Sequence, residues 1–312
     1  MKPLVLFLVG PTGVGKSALA VTLASRIGGE IVSADSMQVY RGMSIGTAKP
    51  LRRDRRQVPH HLIDVRSPGN PFSVYEYQRL ALKKISSISK RGKVPIVVGG
   101  TGLYIRSLLE GLSGQPGADP KFRARLEKEI RTGGLKKAYA RLIRKDACAA
   151  ERIKPSDKRR IIRALEIAEL SGKKPSYWRG RGRPLTALGF EPRVIGITQE
   201  RSQLYASINA RVDRMFRAGL LAEVRRLAQG RLSRTASQAV GYKELLPHVR
   251  NNRTADRVKV REARELIKRN SRRLAKRQWT WFKKEKGIVW MTWTSDMRPD
   301  VFCGEILKTA HV

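Results

Sequence analysis

Cysteine and histidine are scarce in this chain: Cys148 and Cys303 are its only thiols, and 4 histidines are spread over 312 residues. With no C-x-x-C pair and no Cys/His cluster, neither a zinc site nor a disulfide framework is expected, and a reducing, cytoplasmic setting is. Long apolar runs are missing too. The first, residues 4–9, ends in a glycine-rich loop rather than at a small-residue cleavage site, which argues against a signal peptide. Nothing approaches the roughly eighteen apolar residues of a membrane span, so no membrane is expected among the partners. Acidic residues are few: 26 Asp+Glu stand against 65 Lys+Arg, a formal net charge of +39. Such an excess repels itself in a compact state and points to a polyanionic partner. It runs through the body of the chain and is absent from the stretch after residue 286. A proteome that is basic throughout is the other reading of the same charge. The 41% hydrophobic content and 15 prolines fit a globular protein with one sizeable core and a smaller appended domain.

What is present begins at the N-terminus. Leu4-Val5-Leu6-Phe7-Leu8-Val9 reads as a buried strand and runs into Gly10-Pro11-Thr12-Gly13-Val14-Gly15-Lys16-Ser17. This is a phosphate-binding loop in its required context, strand before and helix after. The glycines let successive N–H groups converge on an anion, and the following helix contributes its positive end. Lys16 supplies a mobile charge and Ser17 a hydroxyl for Mg²⁺. The loop establishes a di- or polyphosphate ligand without saying whether that ligand is ATP.

Ala18 to Ile27 reads as a short helix stopped by Gly28-Gly29, and Glu30 to Ser33 as a second strand. Residues 34–50 have no regular period and follow a strand end, where ligands bind in open α/β sheets. Pro59 to Asp64 suggests another strand, and Ser73 to Arg91 a helix opened by a Ser73/Glu76 capping box. Val94 to Val98 is a buried strand ending in Gly99-Gly100-Thr101-Gly102 rather than in the Asp common among NTPases. Asp64 is the only comparable acid, which weakens an ATPase reading. The fold expected is α/β: a P-loop-type parallel sheet core flanked by helices, with a helical insertion and a helical C-terminal region. The core takes residues 1–112 and 191–312; residues 113–190, with turn signals at Gly133-Gly134 and 154–157, are the helical insertion. In the C-terminal region, Val260, Ile267, Leu274 and Trp281 recur every seven residues and predict the inner stripe of a helix over 256–284. Trp279 and Trp281 are read as core, and residues 288–293 as a last strand.

The blocks G-P-T-G-V-G-K-S, S-A-D-S-M-Q-V-Y-R-G-M-S-I-G-T-A-K-P, P-H-H-L-I-D and V-G-G-T-G-L-Y occur here in that order. They are followed by P-S-D-K-R-R-I-I-R-A-L-E-I, R-V-D-R-M-F-R-A-G-L-L-A-E-V, A-V-G-Y-K-E and A-K-R-Q-W-T-W-F. Together, from residue 4 to 293, they resemble the tRNA dimethylallyltransferases. Departures at Ala147, Ser156 and Leu274 bear on helix starts and RNA contacts, not on the reaction. The resemblance implies transfer of a dimethylallyl group from dimethylallyl diphosphate to N6 of adenosine 37, beside the anticodon of tRNAs reading codons that begin with U. It implies the tRNA anticodon stem-loop as partner and Mg²⁺ as cofactor, and a monomer is expected.

The residues can be assigned on chemical grounds. The adenine N6 lone pair is delocalised, so attack needs a positioned base. Asp35, at a strand end beside the loop, is the candidate, a role the resemblance also assigns; a carboxylate that caps a turn or supports the ligands of Mg²⁺ without touching the ion is the competing reading. Lys16, Thr12, Ser17 and the loop amides face the leaving diphosphate. Thr101 can orient the amine, the base or a phosphate oxygen, and otherwise is a plain strand-to-helix turn. Arg211 is a diphosphate clamp or a solvated helix charge. The RNA contacts are assigned to Asp35, Ser36, Met37, Gln38 and Thr101 near the base, then to Arg123, Arg159, Arg160, Ile161, Ile162 and Arg163. Gly241, Tyr242 and Lys243 join them, and Arg272, Arg273, Lys276 and Arg277 follow phosphates along the last long helix. Competing functions are a P-loop nucleoside or RNA kinase, an adenylate isopentenyltransferase, and a non-catalytic RNA binder. The first lacks a purine pocket and phosphate lid, the second leaves the basic insertion unused, and the third gives Asp35 and Thr101 nothing to do.

Overall fold

The computed structural model describes residues 2–250, 257–294 and 297–311. The chain divides into two compact units, residues 1–109 with 185–312 and residues 110–184; the sequence suggests 113–190 for the second.

The first unit opens with β1 (Leu4–Val9), α1 (Lys16–Ile27), β2 (Glu30–Ser33), α2 (Arg52–Gln57) and β3 (His60–His61). It continues through α3 (Val74–Lys90), β4 (Pro95–Gly99) and α4 (Gly102–Leu109). The second unit holds α5 (Pro120–Lys145), α6 (Ala147–Ala150) and α7 (Lys158–Ser171). The chain returns to the first unit with β5 (Glu191–Thr198), α8 (Arg201–Arg217), α9 (Leu220–Ala228) and α10 (Arg234–Ser237). It closes with α11 (Tyr242–Arg250), α12 (Arg257–Phe282), β6 (Ile288–Thr292) and α13 (Pro299–Ala310).

The six strands form one parallel sheet in the order β3-β2-β4-β1-β5-β6. Side chains alternate across β1: Val5, Phe7 and Val9 enter one core layer, Leu6 and Leu8 the other. A strand covered on both faces has to be apolar throughout, which is why residues 4–9 read as an unbroken run. On α3 the Ser73/Glu76 box forms as expected, each side chain taking the other's backbone N–H.

Strand order positions the site. Because β4 inserts between β1 and β2, three loops leave the carboxyl edge of the sheet side by side: the phosphate loop, the segment after Ser33, and Gly99-Gly100-Thr101. Gly99 allows the closest approach, since a Cβ there would overlap the Ala34 carbonyl oxygen.

Helix α12 differs from the seven-residue stripe. Its buried row is Ala263, Ile267, Ser271, Ala275 and Phe282, while Val260, Leu274 and Trp281 are half-buried. The small residues Ala263, Ser271 and Ala275 in this row let the helix lie close against its neighbours, a ridge that an apolar heptad count overlooks. Trp281 packs under the Arg106 guanidinium at 4.6 Å, and Trp279 meets Trp290 edge-on at 4.6 Å. Among the described residues no helix is long and apolar enough to cross a membrane.

The second unit has its own core of Phe122, Leu126, Ile130, Leu142, Ile161, Ile162 and Leu165. Gly134, at φ 80°, breaks α5 at the expected Gly-Gly turn. Glu166 is fully buried in this unit, and its carboxylate accepts from Arg123 at 2.7 Å twice, from Arg163 at 2.6 Å and from the Asp119 amide at 2.8 Å.

Candidate active site

The phosphate loop is wound as its glycines require, with Gly13 and Gly15 both at φ near 90°. A Cβ on Gly13 would stand 2.6 Å from Ile208 of α8, so the loop is pressed onto that helix. Val14 points into the core and anchors the loop from below. Lys16 opens α1, and its ammonium donates back to the Pro11 carbonyl at 2.6 Å, almost out of reach of solvent. The Thr12 amide donates to Gln278 Oε1 at 2.8 Å, and Gln278 Nε2 donates to Gly100 O at 2.9 Å. One carboxamide from α12 therefore ties the loop after β1 to the loop after β4.

These groups open onto a cavity of about 290 Å³. Its lining includes Thr12, Lys16, Ser17, Asp35, Gln38, Arg211, Arg214 and Gln278. Among the described residues Asp35 is the sole carboxylate of the lining, which it shares with Lys16, Arg211 and Arg214. Its Oδ1 accepts from the amides of Met37 at 2.8 Å and Gln38 at 3.3 Å, closing a turn, while Oδ2 has no partner among the described residues. The turn-capping and base readings are thus compatible, one oxygen for each. Thr101 does not line the cavity. Its hydroxyl accepts from the Ser36 amide at 3.0 Å and lies 3.4 Å from Ser36 Oγ, so it holds the turn that carries Asp35.

Arg211 is half-buried and lines the cavity, and its Nε is buried without a hydrogen-bond partner. Burial lowers its pKa from the ordinary range, with Asp35 opposing and Arg214 adding to the effect. Lys16 is pushed down from 10.5 to about 7, first by burial and then by the Arg211 charge, against the pull of Asp35. An anion between these two cations reverses both effects. The sign follows. A lysine whose folded pKa lies below its unfolded one burdens the empty fold at low pH, and that burden lifts as pH rises from about 7 toward 10.5. An anion bound beside Lys16 would raise its pKa, so binding of inorganic diphosphate at pH 8 is expected to take up a proton. Calorimetry in buffers of different ionisation enthalpy, without added divalent metal, measures this uptake; equal uptake by Lys16→Met would disprove the assignment.

The expected RNA residues fare unevenly. Ile161 and Ile162 face the core of the second unit, because α7 turns that side toward α5, and they offer nothing to RNA. Arg123 and Arg163 are committed to Glu166, with Arg163 also donating to the Pro116 and Gly117 carbonyls. Arg159 and Arg160 are exposed. Tyr242 is fully buried and Gly241 is buried beside it, its amide donating to Glu244; Lys243 lies 3.6 Å from Glu244. The Gln38 carboxamide is saturated by Ser33, Thr47 and Ala48, so it supports the wall instead of reading a base edge. On α12, Arg273, Lys276 and Arg277 are exposed, whereas Arg272 donates to Asn209 at 2.6 Å. Asp64 lies outside the cavity, paired with Lys49 and Arg55. Sequence reasoning missed Gln278 and Arg214. The second stands one turn from Arg211 on α8, a spacing that could have raised it, and Gln278 lies inside the A-K-R-Q-W-T-W-F block, which could have raised it too.

A Mg²⁺ ion suits this donor set. No cluster of three or more His, Cys, Asp or Glu side chains able to hold a metal occurs among the described residues. The exposed Ser17 hydroxyl nevertheless lines the cavity where phosphate oxygens would supply the remaining ligands, the usual arrangement for Mg²⁺.

Residues 38–285 match the family model described as IPP transferase. The chain is 46% identical to the tRNA dimethylallyltransferase of Bacillus licheniformis over 303 residues, covering 96% of this chain and 93% of that protein. It is similar to the solved full-length tRNA isopentenylpyrophosphate transferase of Bacillus halodurans, with a TM-score of 0.71 and 40% identity over 99% of this chain and 95% of that one. A eukaryotic dimethylallyltransferase solved acting on tRNA matches with a TM-score of 0.76 and 30% identity, over 94% of this chain and 74% of that one.

Proposed function

The chain belongs to the IPP transferase family and carries out prenyl transfer to tRNA; we propose that it moves a dimethylallyl group from dimethylallyl diphosphate to N6 of adenosine 37, in tRNAs that read codons beginning with U. The observation that carries the proposal is Asp35 Oδ2, unpartnered, in one cavity with the buried Lys16 and the half-buried Arg211. On this reading the base and the anion site share one cavity of about 290 Å³.

In the step proposed, the N6–C1 bond forms as the C1–O bond to diphosphate breaks, and the N6 proton passes to Asp35 Oδ2. Negative charge growing on the leaving diphosphate meets the loop amides, Thr12, Lys16 and Arg211. Ser17 would hold Mg²⁺, which when bound supplies further neutralisation of that charge. The acceptor adenine has to leave its loop stack to reach Asp35, at a cost of roughly a few kcal/mol. RNA phosphates are assigned to the exposed Arg273, Lys276 and Arg277 of α12 and, in the second unit, to Arg159 and Arg160. Action as a monomer belongs to the same proposal, and the scarcity of cysteine suits a reducing cytoplasm.

The test is a side-by-side assay with Mg²⁺ and labelled dimethylallyl diphosphate, offering unmodified tRNA with adenosines at 36 and 37, or free AMP. Label is expected in tRNA alone; label only in AMP would move the acceptor to a free nucleotide. Affinity for tRNA is expected to fall steeply and linearly on logarithmic axes as salt rises, since several phosphates are contacted. A flat response would remove the RNA role of the basic face.

A further inference from the structure

Glu223 of α9 lies outside the cavity and is only 3% exposed. Its carboxylate gathers three consecutive amides: Ser44 at 2.9 Å, Ile45 at 2.8 Å and Gly46 at 3.1 Å. The Tyr242 hydroxyl adds a fourth bond at 2.6 Å. A buried carboxylate is costly unless its lone pairs are satisfied, and these charge-assisted bonds satisfy them. The segment it grips has no helix or strand of its own to hold it. Gly46 is essential to the seating, because a Cβ there would run into the Tyr242 ring.

From the pinned segment the contacts continue to the site. The Thr47 and Ala48 carbonyls both accept from Gln38 Nε2 at 3.3 Å, and Gln38 Oε1 accepts from Ser33 Oγ at 3.1 Å. The Gln38 amide in turn donates to Asp35 Oδ1. Thr47, Ala48, Gln38 and Asp35 all line the cavity, whereas neither Glu223 nor Tyr242 does. None of these bonds involves the phosphate loop.

We propose that Glu223, assisted by Tyr242, is a positioning residue for the acceptor side of the reaction. Through the 44–48 segment and Gln38 it sets where Asp35 meets the adenine amine, and it takes no part in holding diphosphate. This rests on the assignment of Asp35 as the base. Replacing one oxygen by an NH₂ group, as in Glu223→Gln, sets a donor against amide donors and releases part of the segment. Misplacement of reacting groups by about 1 Å costs on the order of 10²-fold in rate, so kcat on tRNA is expected to fall roughly 10- to 100-fold.

The experiment measures kcat and KM for tRNA together with the affinity and stoichiometry of inorganic diphosphate, in wild type, Glu223→Gln and Gly46→Ala. Gly46→Ala wedges the segment off Tyr242 and serves if the first variant fails to fold. Expected are one diphosphate bound per chain at affinity within about twofold of wild type, a small change in KM, and kcat per binding site lowered as above. A merely structural defect would lower diphosphate stoichiometry and kcat together. Wild-type kcat per site in the folded variants, or diphosphate affinity falling in step with kcat, overturns the proposal. A wild-type protein that prenylates no tRNA would overturn the functional reading as well.

Discussion

Asp35→Asn is expected to slow prenyl transfer to tRNA by about 10²–10⁴-fold, the range for loss of a general base, with diphosphate binding retained. Asparagine keeps an oxygen where Oδ1 accepts from Met37 and Gln38, so the turn survives. What disappears is the free carboxylate oxygen facing the cavity, and the N6 proton then has no acceptor. Asp35→Ala removes both the base and the turn acceptor. The difference between the two variants therefore measures the turn alone. Single-turnover rates with saturating substrates decide the matter: an asparagine variant retaining half the wild-type rate would show that another group takes the proton.

Arg211→Met should cost transfer about 10²–10³-fold, as for one donor aimed at developing charge, yet leave the empty protein as stable as before or more so. Two features of Arg211 lead to this pairing of effects. Its Nε is buried without a partner, and its charge helps to push Lys16 down to about 7. A half-buried cation with a buried, unpartnered Nε burdens the free fold, and a bound anion relieves it. Methionine of similar length removes that burden and lets the Lys16 pKa rise. Thermal melts with and without diphosphate check both halves. A variant with a lower melting temperature but near-normal transfer would mean that Arg211 is a structural cation.

The motif-bearing parts of the site were legible because their logic is local. A phosphate loop must be contiguous, since adjacent amides converge on one anion, and the Ser73/Glu76 box is complete within four residues. Asp35 was legible for a related reason: an acid just past a buried strand lies at the ligand edge of a parallel sheet. Where the reading went astray, residue type had been taken as exposure. Ile161 and Ile162 sit among arginines in sequence but turn inward on α7, and Tyr242 turns into the core to bind Glu223. Arg123 looked free because its partner Glu166 lies 43 residues away, whereas Arg163 meets the same carboxylate as a local i,i+3 pair that the reading passed over.

From sequence alone came the parallel α/β core, the phosphate-loop motif and Asp35 as candidates for the site, and a helical segment inserted between two stretches of the core sequence. The tertiary structure alone decided that β4 enters between β1 and β2, bringing three distant loops to one edge. It also decided that Gln278 reaches back across 266 residues to the Thr12 amide, and that Glu223 takes up the amides of a segment almost 180 residues away. The physical reason is the range of the interactions. Turns, caps and helix faces are set by neighbours a few residues apart, whereas the partner of a buried polar side chain is set by strand order and layer packing.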